Sequence, residues 1–215
     1  HLSAVMVKAL IDKTDMTTRY GRRDTVLLSL LYDSAARVQE LADMRVRDVR
    51  IAKPYTVTLT GKGNKTRTVP ISTNMAELLK TYLYDNRLLL PERLDYPLFS
   101  NHQGHNMTRA GVAYILKKYC DMARLENPLV PGKISPHILR HSRAMHMLQA
   151  GINLIYIRDF LGHAHVTTTE IYARADTETK RAALEKANIS IETDLPDWGK
   201  DKPLMVLLTE MCSPV

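Results

Sequence analysis

Tyr55-Thr56-Val57-Thr58-Leu59, then Gly61-Lys62-Gly63-Asn64, then Arg67-Thr68-Val69-Pro70-Ile71 is the stretch that decides the fold class of this chain. The first run is β-branched and alternating, the middle one is built of turn formers, and the last reads as a returning strand. Together they predict a β-hairpin with Lys62 on its tip. Outward from the hairpin the apolar period becomes helical. Residues 22–33 and 36–43 read as helices before it, and 74–85 (behind a cap at Ser72 or Thr73) and 108–124 after it. A further helix lies around Leu2 to Ile11. Pro136 opens a helix that runs to about Ala150 and is ended by Gly151. Shorter helices fit 153–161 and 167–173, Asp176 to Asn188 reads as a solvent-laced helix, and Pro203 to Met211 as an apolar one. The expected fold class is therefore mainly α with a small antiparallel β-sheet.

Composition bounds the function. The chain has 215 residues, 45% hydrophobic and 25% charged, which is the balance of a globular protein. It contains no run of 18 apolar residues, so no membrane span is expected. Two scattered cysteines, Cys120 and Cys212, make neither a disulfide framework nor a cysteine zinc site, and a reducing cytoplasmic setting is the default expectation. The net charge of +7 is unevenly placed. Between residues 45 and 67, Arg45, Arg47, Arg50, Lys53, Lys62, Lys65 and Arg67 face one acid, Asp48. From Ile189 onward Glu192, Asp194, Asp197, Asp201 and Glu210 outweigh Lys200 and Lys202. A basic stretch along a phosphate backbone and an acidic tail kept off it would have this pattern, and so would a solvated basic face. Asp194-Leu195-Pro196-Asp197 breaks the helical pattern, giving an expected domain over 1–188 and a tail over 189–215.

Three clusters can carry chemistry. In Pro136-His137-Ile138-Leu139-Arg140-His141, helical spacing puts His137, Arg140, His141 and Ala144 on one face. An imidazole beside a guanidinium suits a phosphate, because the fork takes two oxygens and the ring donates a third bond or moves a proton. An ordinary surface pair, or a His137/His141 metal pair lacking an obvious third ligand, fits the same spacing. Next come Leu161-Gly162-His163-Ala164-His165 and, nine residues after His163, Tyr172. A tyrosine on a short helix can be a nucleophile once a neighbouring base or cation activates it, or can simply pack in a core. Finally, Lys62 at the hairpin tip can protonate a leaving oxygen or merely solubilise the turn.

Taken in order, Arg37 with Glu40, Gly61-Lys62-Gly63-Asn64-Lys65-x-Arg67-x-Val69-Pro70, His137-x-x-Arg140-His141-Ser142, Leu161-Gly162-His163 and Tyr172 resemble the catalytic domain of the tyrosine recombinase (phage integrase) family. The similarity runs from about Thr25 to Ala175. Two details depart from the family pattern. Ser34-Ala35-Ala36 stands where Thr-Gly and an apolar residue are frequent, and Arg143 and Met145 stand where an aromatic and a threonine are usual. These bear on the subfamily and remove no catalytic group.

The resemblance implies that Tyr172 attacks a DNA phosphodiester to give a 3′-phosphotyrosine, with Arg37 and Arg140 clamping the non-bridging oxygens and His163 adding a bond. It implies His137 as acceptor of the tyrosine proton and Lys62 as acid for the departing 5′ oxygen, with Lys65 the alternative for that role. Glu40 is expected to brace the arginine helix, and Arg45, Arg47, Lys65, Arg67, His141 and Arg143 to contact DNA. Arg143 reads equally as a surface charge. No cofactor and no metal are expected, since arginines, lysine and histidines supply the positive charge and no two-metal carboxylate cluster or P-loop is present. The expected partners are double-stranded DNA at specific sites and three further copies in a synaptic tetramer, on the nucleoid. The family's separate helical core-binding domain is expected to be missing from this chain, and the acidic tail to dock on a neighbouring protomer or fold back. Competing readings are a type IB topoisomerase, which by resemblance has Lys-x-x-Arg in place of His137-x-x-Arg140, and a metal-dependent relaxase built on His163-Ala164-His165. A DNA-binding protein that keeps the fold without catalysis is a further one.

Overall fold

The computed structural model describes residues 1–162. Over those residues the chain forms seven α-helices and one three-stranded antiparallel sheet. The helices are α1 (Ala4–Ile11), α2 (Arg19–Asp33), α3 (Val38–Ala42), α4 (Thr73–Asp85), α5 (Arg109–Glu126), α6 (Pro136–Gln149) and α7 (Leu154–Leu161). The sheet comprises β1 (Val49–Arg50), β2 (Thr56–Thr60) and β3 (Thr66–Pro70) in sequential order. The helices expected at 167–173, 176–188 and 203–211 fall outside the described residues.

Local chemistry sets the boundaries. Ser3, Thr18, Ser72, Thr108 and Asn153 each accept a backbone N–H of the following first turn, capping α1, α2, α4, α5 and α7. Pro136 is the first residue of α6, where its missing N–H costs nothing. The helix expected at 36–43 is shorter, because Ala35 adopts φ 47° and Arg37 remains extended as the cap of α3. Glu40 closes that start by accepting the Arg37 backbone N–H at 2.7 Å. The hairpin pairs Val57 with Val69 and Leu59 with Arg67, so these side chains share the inner face. Strand β1, which the sequence reading lacked, adds Val49 opposite Val57 and widens the hairpin into a sheet.

Helix α2 is the central element, packed on α4 and α6. Its Leu27, Leu28, Leu30 and Leu31 are fully buried, as are Leu41, Val57, Leu59 and Leu79 around it. Each such side chain contributes about 2 kcal/mol on leaving water. The buried Arg23–Asp24 pair is satisfied by the Tyr119 hydroxyl on Asp24 and by the Ser100 carbonyl on Arg23, which ties α2 to α5 and to the loop before it. A second, smaller apolar cluster joins Ala35, Ala144, Met145, Met147, Ile157 and Leu161. It fixes the α6–α7 corner beneath the loop that carries Arg37.

Candidate active site

The end of α7 organises the site. Gly162 terminates the helix at φ 64°, ψ 45°, a left-handed conformation that glycine adopts without strain. The last carbonyls of any helix lack intrahelical donors and carry the negative end of its dipole. Here three guanidiniums from three different elements meet them. Arg67 Nε of β3 donates to Phe160 O at 3.1 Å, Arg140 Nη2 of α6 to Leu161 O at 2.6 Å, and Arg37 Nη2 to Gly162 O at 3.3 Å. Arg140 Nη1 also donates to Ala35 O at 2.6 Å, so the loop before α3 and the end of α7 share one side chain that is only 4% exposed.

Glu40 sits under this assembly. Its carboxylate takes Arg37 Nη1 at 2.8 Å, Arg67 Nη1 at 2.7 Å, Arg67 Nη2 at 2.8 Å and the Arg37 N–H, filling its acceptor sites. Burial raises its pKa, but the hydrogen bonds and charge of Arg67 and Arg37 outweigh that and hold it at about 2. Glu40 thus remains an anion at neutral pH with two cations on it.

A cavity of about 510 Å³ opens beside the assembly, lined by Arg37, Gly61, Lys62, Lys65, Thr66, Arg67 and Gly162. The hairpin tip supplies the lysines. Gly63 at φ 73° and Asn64 at φ 58° turn the chain, and Gly61 N–H donates to Lys65 O at 2.8 Å. Lys62 and Lys65 are both exposed on this turn. The arrangement sets two fixed cations, Arg37 and Arg67, opposite two lysines that bond to no other described side chain in the cavity. A dianionic or developing-dianion group fits such a cavity.

The remaining expected site residues are placed as follows. His137 is exposed in the first turn of α6, one turn before Arg140. His141 is half-buried, and burial lowers its pKa. Arg67, expected on the DNA surface, faces inward and commits its fork to Glu40, because the register puts it on the face of Val69. Arg143 is ion-paired to Asp33 at 3.1 Å and lies over the Tyr32 ring at 5.3 Å, so its charge is partnered on α2. Arg45 and Arg47 are exposed and share Asp95, an acid beyond the basic window. His163, Tyr172 and the His163-Ala164-His165 pair lie outside the described residues. Among the described residues no group of three or more His, Cys, Asp or Glu side chains is gathered to hold a metal, and no helix is long and apolar enough to cross a membrane.

A mainly helical domain with a three-stranded sheet, its arginines converging beside a lysine-tipped hairpin, matches a known class. The profile of the phage integrase family matches residues 2–179, a span that includes the positions of His163 and Tyr172. The chain belongs to the phage integrase family of tyrosine recombinases. It is 36% identical over 181 residues to the tyrosine recombinase XerD of Ralstonia nicotianae, covering 84% of this chain and 57% of that protein. It is 39% identical over 153 residues to the tyrosine recombinase XerC of a Roseiflexus species, covering 70% of this chain and 47% of that one. Among solved structures, the XerA recombinase superposes with a TM-score of 0.71 at 27% identity, over 87% of this chain and 63% of that one. The XerH site-specific recombinase, in a post-cleavage complex with its palindromic difH substrate, gives 0.70 at 28% identity, over 86% and 52%. The chain therefore spans about half the length of the curated relatives it matches, 57% of the XerD and 47% of the XerC protein.

Proposed function

We propose that this protein is a site-specific DNA recombinase that cuts and rejoins strands through a 3′-phosphotyrosine. The observation that carries this reading is the convergence of Arg37 and Arg140 on the carbonyls of Gly162 and Leu161, directly before His163 in sequence, with Lys62 lining the same cavity as Arg37. A phosphodiester has two non-bridging oxygens and develops further negative charge when it becomes pentacoordinate. Two guanidiniums held by backbone carbonyls meet that charge without reorganising.

In the proposed step the Tyr172 hydroxyl attacks phosphorus, its proton passing to His137. The bond to the 5′ oxygen breaks, and Lys62 protonates that oxygen. Arg37, Arg140 and His163 hold the non-bridging oxygens. The phosphotyrosine conserves the energy of the broken bond, so a 5′ hydroxyl from a second site can reverse the attack and complete an exchange. The chain's own cations supply the charge stabilisation that the reaction requires. The substrate is double-stranded DNA, as in the difH complex of XerH, and Lys65, Arg45 and Arg47 follow its backbone. Four protomers on two sites would perform a full exchange, as an integrase or transposase of a mobile element or a chromosome-resolving recombinase, in the cytoplasm.

The test is covalent capture on a nicked duplex, with and without chelator, beside Tyr172→Phe. The expected result is a 3′-linked adduct that survives chelator and is absent from the variant. A 5′-linked adduct that requires a metal would replace this reading with a relaxase built on the His163-Ala164-His165 pair.

A further inference from the structure

Arg67 is the one cation at the site whose guanidinium is wholly directed inward among the described residues lining the cavity. Its two Nη atoms fork onto Glu40 at 2.7 and 2.8 Å, and its Nε reaches Phe160 O at 3.1 Å. Its side chain is 14% exposed and that of Glu40 2%. Two glycines make room for the pair. A Cβ on Gly162 would stand 2.8 Å from Arg67 Cδ, and one on Gly61 would stand 3.1 Å from Glu40 Oε1. Hairpin, α3 and the end of α7 are thereby joined through one ion pair.

We propose that Arg67 is a positioning residue for strand cleavage: it neutralises Glu40 so that the charge of Arg37 stays available to the scissile phosphate, and it fixes the end of α7 relative to the hairpin that carries Lys62. The proposal rests on the recombinase reading. Its physical content is a charge count. Glu40 with Arg37 and Arg67 carries one net positive charge. Without Arg67 the pair Glu40–Arg37 carries none, and a buried carboxylate with one remaining partner draws that partner in. Arg37 would then turn from the cavity toward Glu40, and Phe160 O would lose its donor at the segment leading to His163. Bidentate geometry matters here, since a lysine restores the charge but not the fork or the Nε bond.

The experiment uses the intact protein and a pool of nicked duplexes with randomised arms, from which the wild type selects its own substrate by covalent capture. Single-turnover cleavage of the selected duplex is then measured for Arg67→Gln, Arg67→Lys, Glu40→Gln and the double variant Glu40→Gln/Arg67→Gln, with duplex binding measured in parallel. Arg67→Gln is expected to bind the duplex as the wild type does and to cleave on the order of 10- to 100-fold more slowly, the effect of misplacing a reacting group. The double variant is expected to cleave faster than Arg67→Gln, because removing the unbalanced carboxylate releases Arg37. A scaffold role alone predicts the reverse order, with the double variant as slow or slower, and that result overturns the proposal. Wild-type cleavage by Arg67→Gln also overturns it. If Arg67→Gln does not fold, Arg67→Lys decides: cleavage several-fold below wild type supports the proposal and wild-type cleavage rejects it. If the wild type captures no duplex, the recombinase reading fails and this proposal falls with it.

Discussion

Arg140 and Lys62 belong to the same proposed reaction and stand at opposite extremes of restraint. Arg140 is 4% exposed and its two terminal nitrogens are bonded to backbone carbonyls of two different segments. Lys62 is exposed on a turn made by two residues in the left-handed region, with its ammonium bonded to no described residue. In the proposed reaction the α6–α7 corner serves as a fixed electrostatic mould and the hairpin tip as a mobile donor. Transition-state charge is best met by groups that do not reorganise, whereas a proton must be delivered to an oxygen that moves as its bond breaks. The division of labour follows from that difference, and substitutions on the two sides should fail in different ways.

The largest effect is expected at the fixed side. Arg140→Ala strands Ala35 O and Leu161 O in the interior, so it should cost about 3 kcal/mol of stability and on the order of 100- to 1,000-fold in cleavage. Thermal unfolding and single-turnover cleavage of one preparation would show both losses together. On the mobile side, Lys62→Ala should lower cleavage by about 100-fold while leaving the melting temperature unchanged. Lys65→Ala should retain most of the rate, and a larger loss there than at Lys62 would exchange their roles.

Glu40 sharpens the comparison through pH. Its folded pKa of about 2 lies below the ordinary 4.5, so its ionised form stabilises the fold above that ordinary value. The contribution is lost as pH falls from 4.5 toward 2. Glu40→Gln should therefore melt below the wild type at pH 7, and the gap should close across that window. A gap that stays constant from pH 7 to 2 would mean that Arg37 and Arg67 do not hold the carboxylate ionised. A smaller effect belongs to the outer surface. Because Arg47 already shares Asp95, Arg47→Ala should lower the salt dependence of DNA binding by less than about one unit of slope in log–log form. A decrease of about a full unit, the value of one complete phosphate contact, would show that Asp95 releases it on DNA.

Much of this was legible in the sequence. The hairpin was readable because Val57, Leu59 and Val69 alternate around a Gly-Lys-Gly-Asn turn, and α6 because Pro136 and Gly151 mark its ends. Belonging to the family was readable because five short motifs occur in one order. Strand β1 was not, because two residues carry no period. Arg67 was read as a DNA contact from its charge, although the same alternation that buries Val69 puts it on the inner face; weighing period above charge would have found its inward placement. The Arg143–Asp33 pair was hidden because its members lie far apart in sequence and meet only when α6 packs on α2. Likewise the Asp95 partner of Arg45 and Arg47 lies outside the window over which the basic charge was counted.

The most direct test of the fixed-mould and mobile-donor account replaces the scissile 5′ oxygen with sulfur. A thiolate leaves without being protonated, so the substitution removes the need for an acid and leaves the need for charge stabilisation. The account predicts that single-turnover cleavage by Lys62→Ala returns to near the wild-type rate on the sulfur-substituted duplex, while Arg140→Ala stays slow. Recovery of both variants, or of neither, would contradict it.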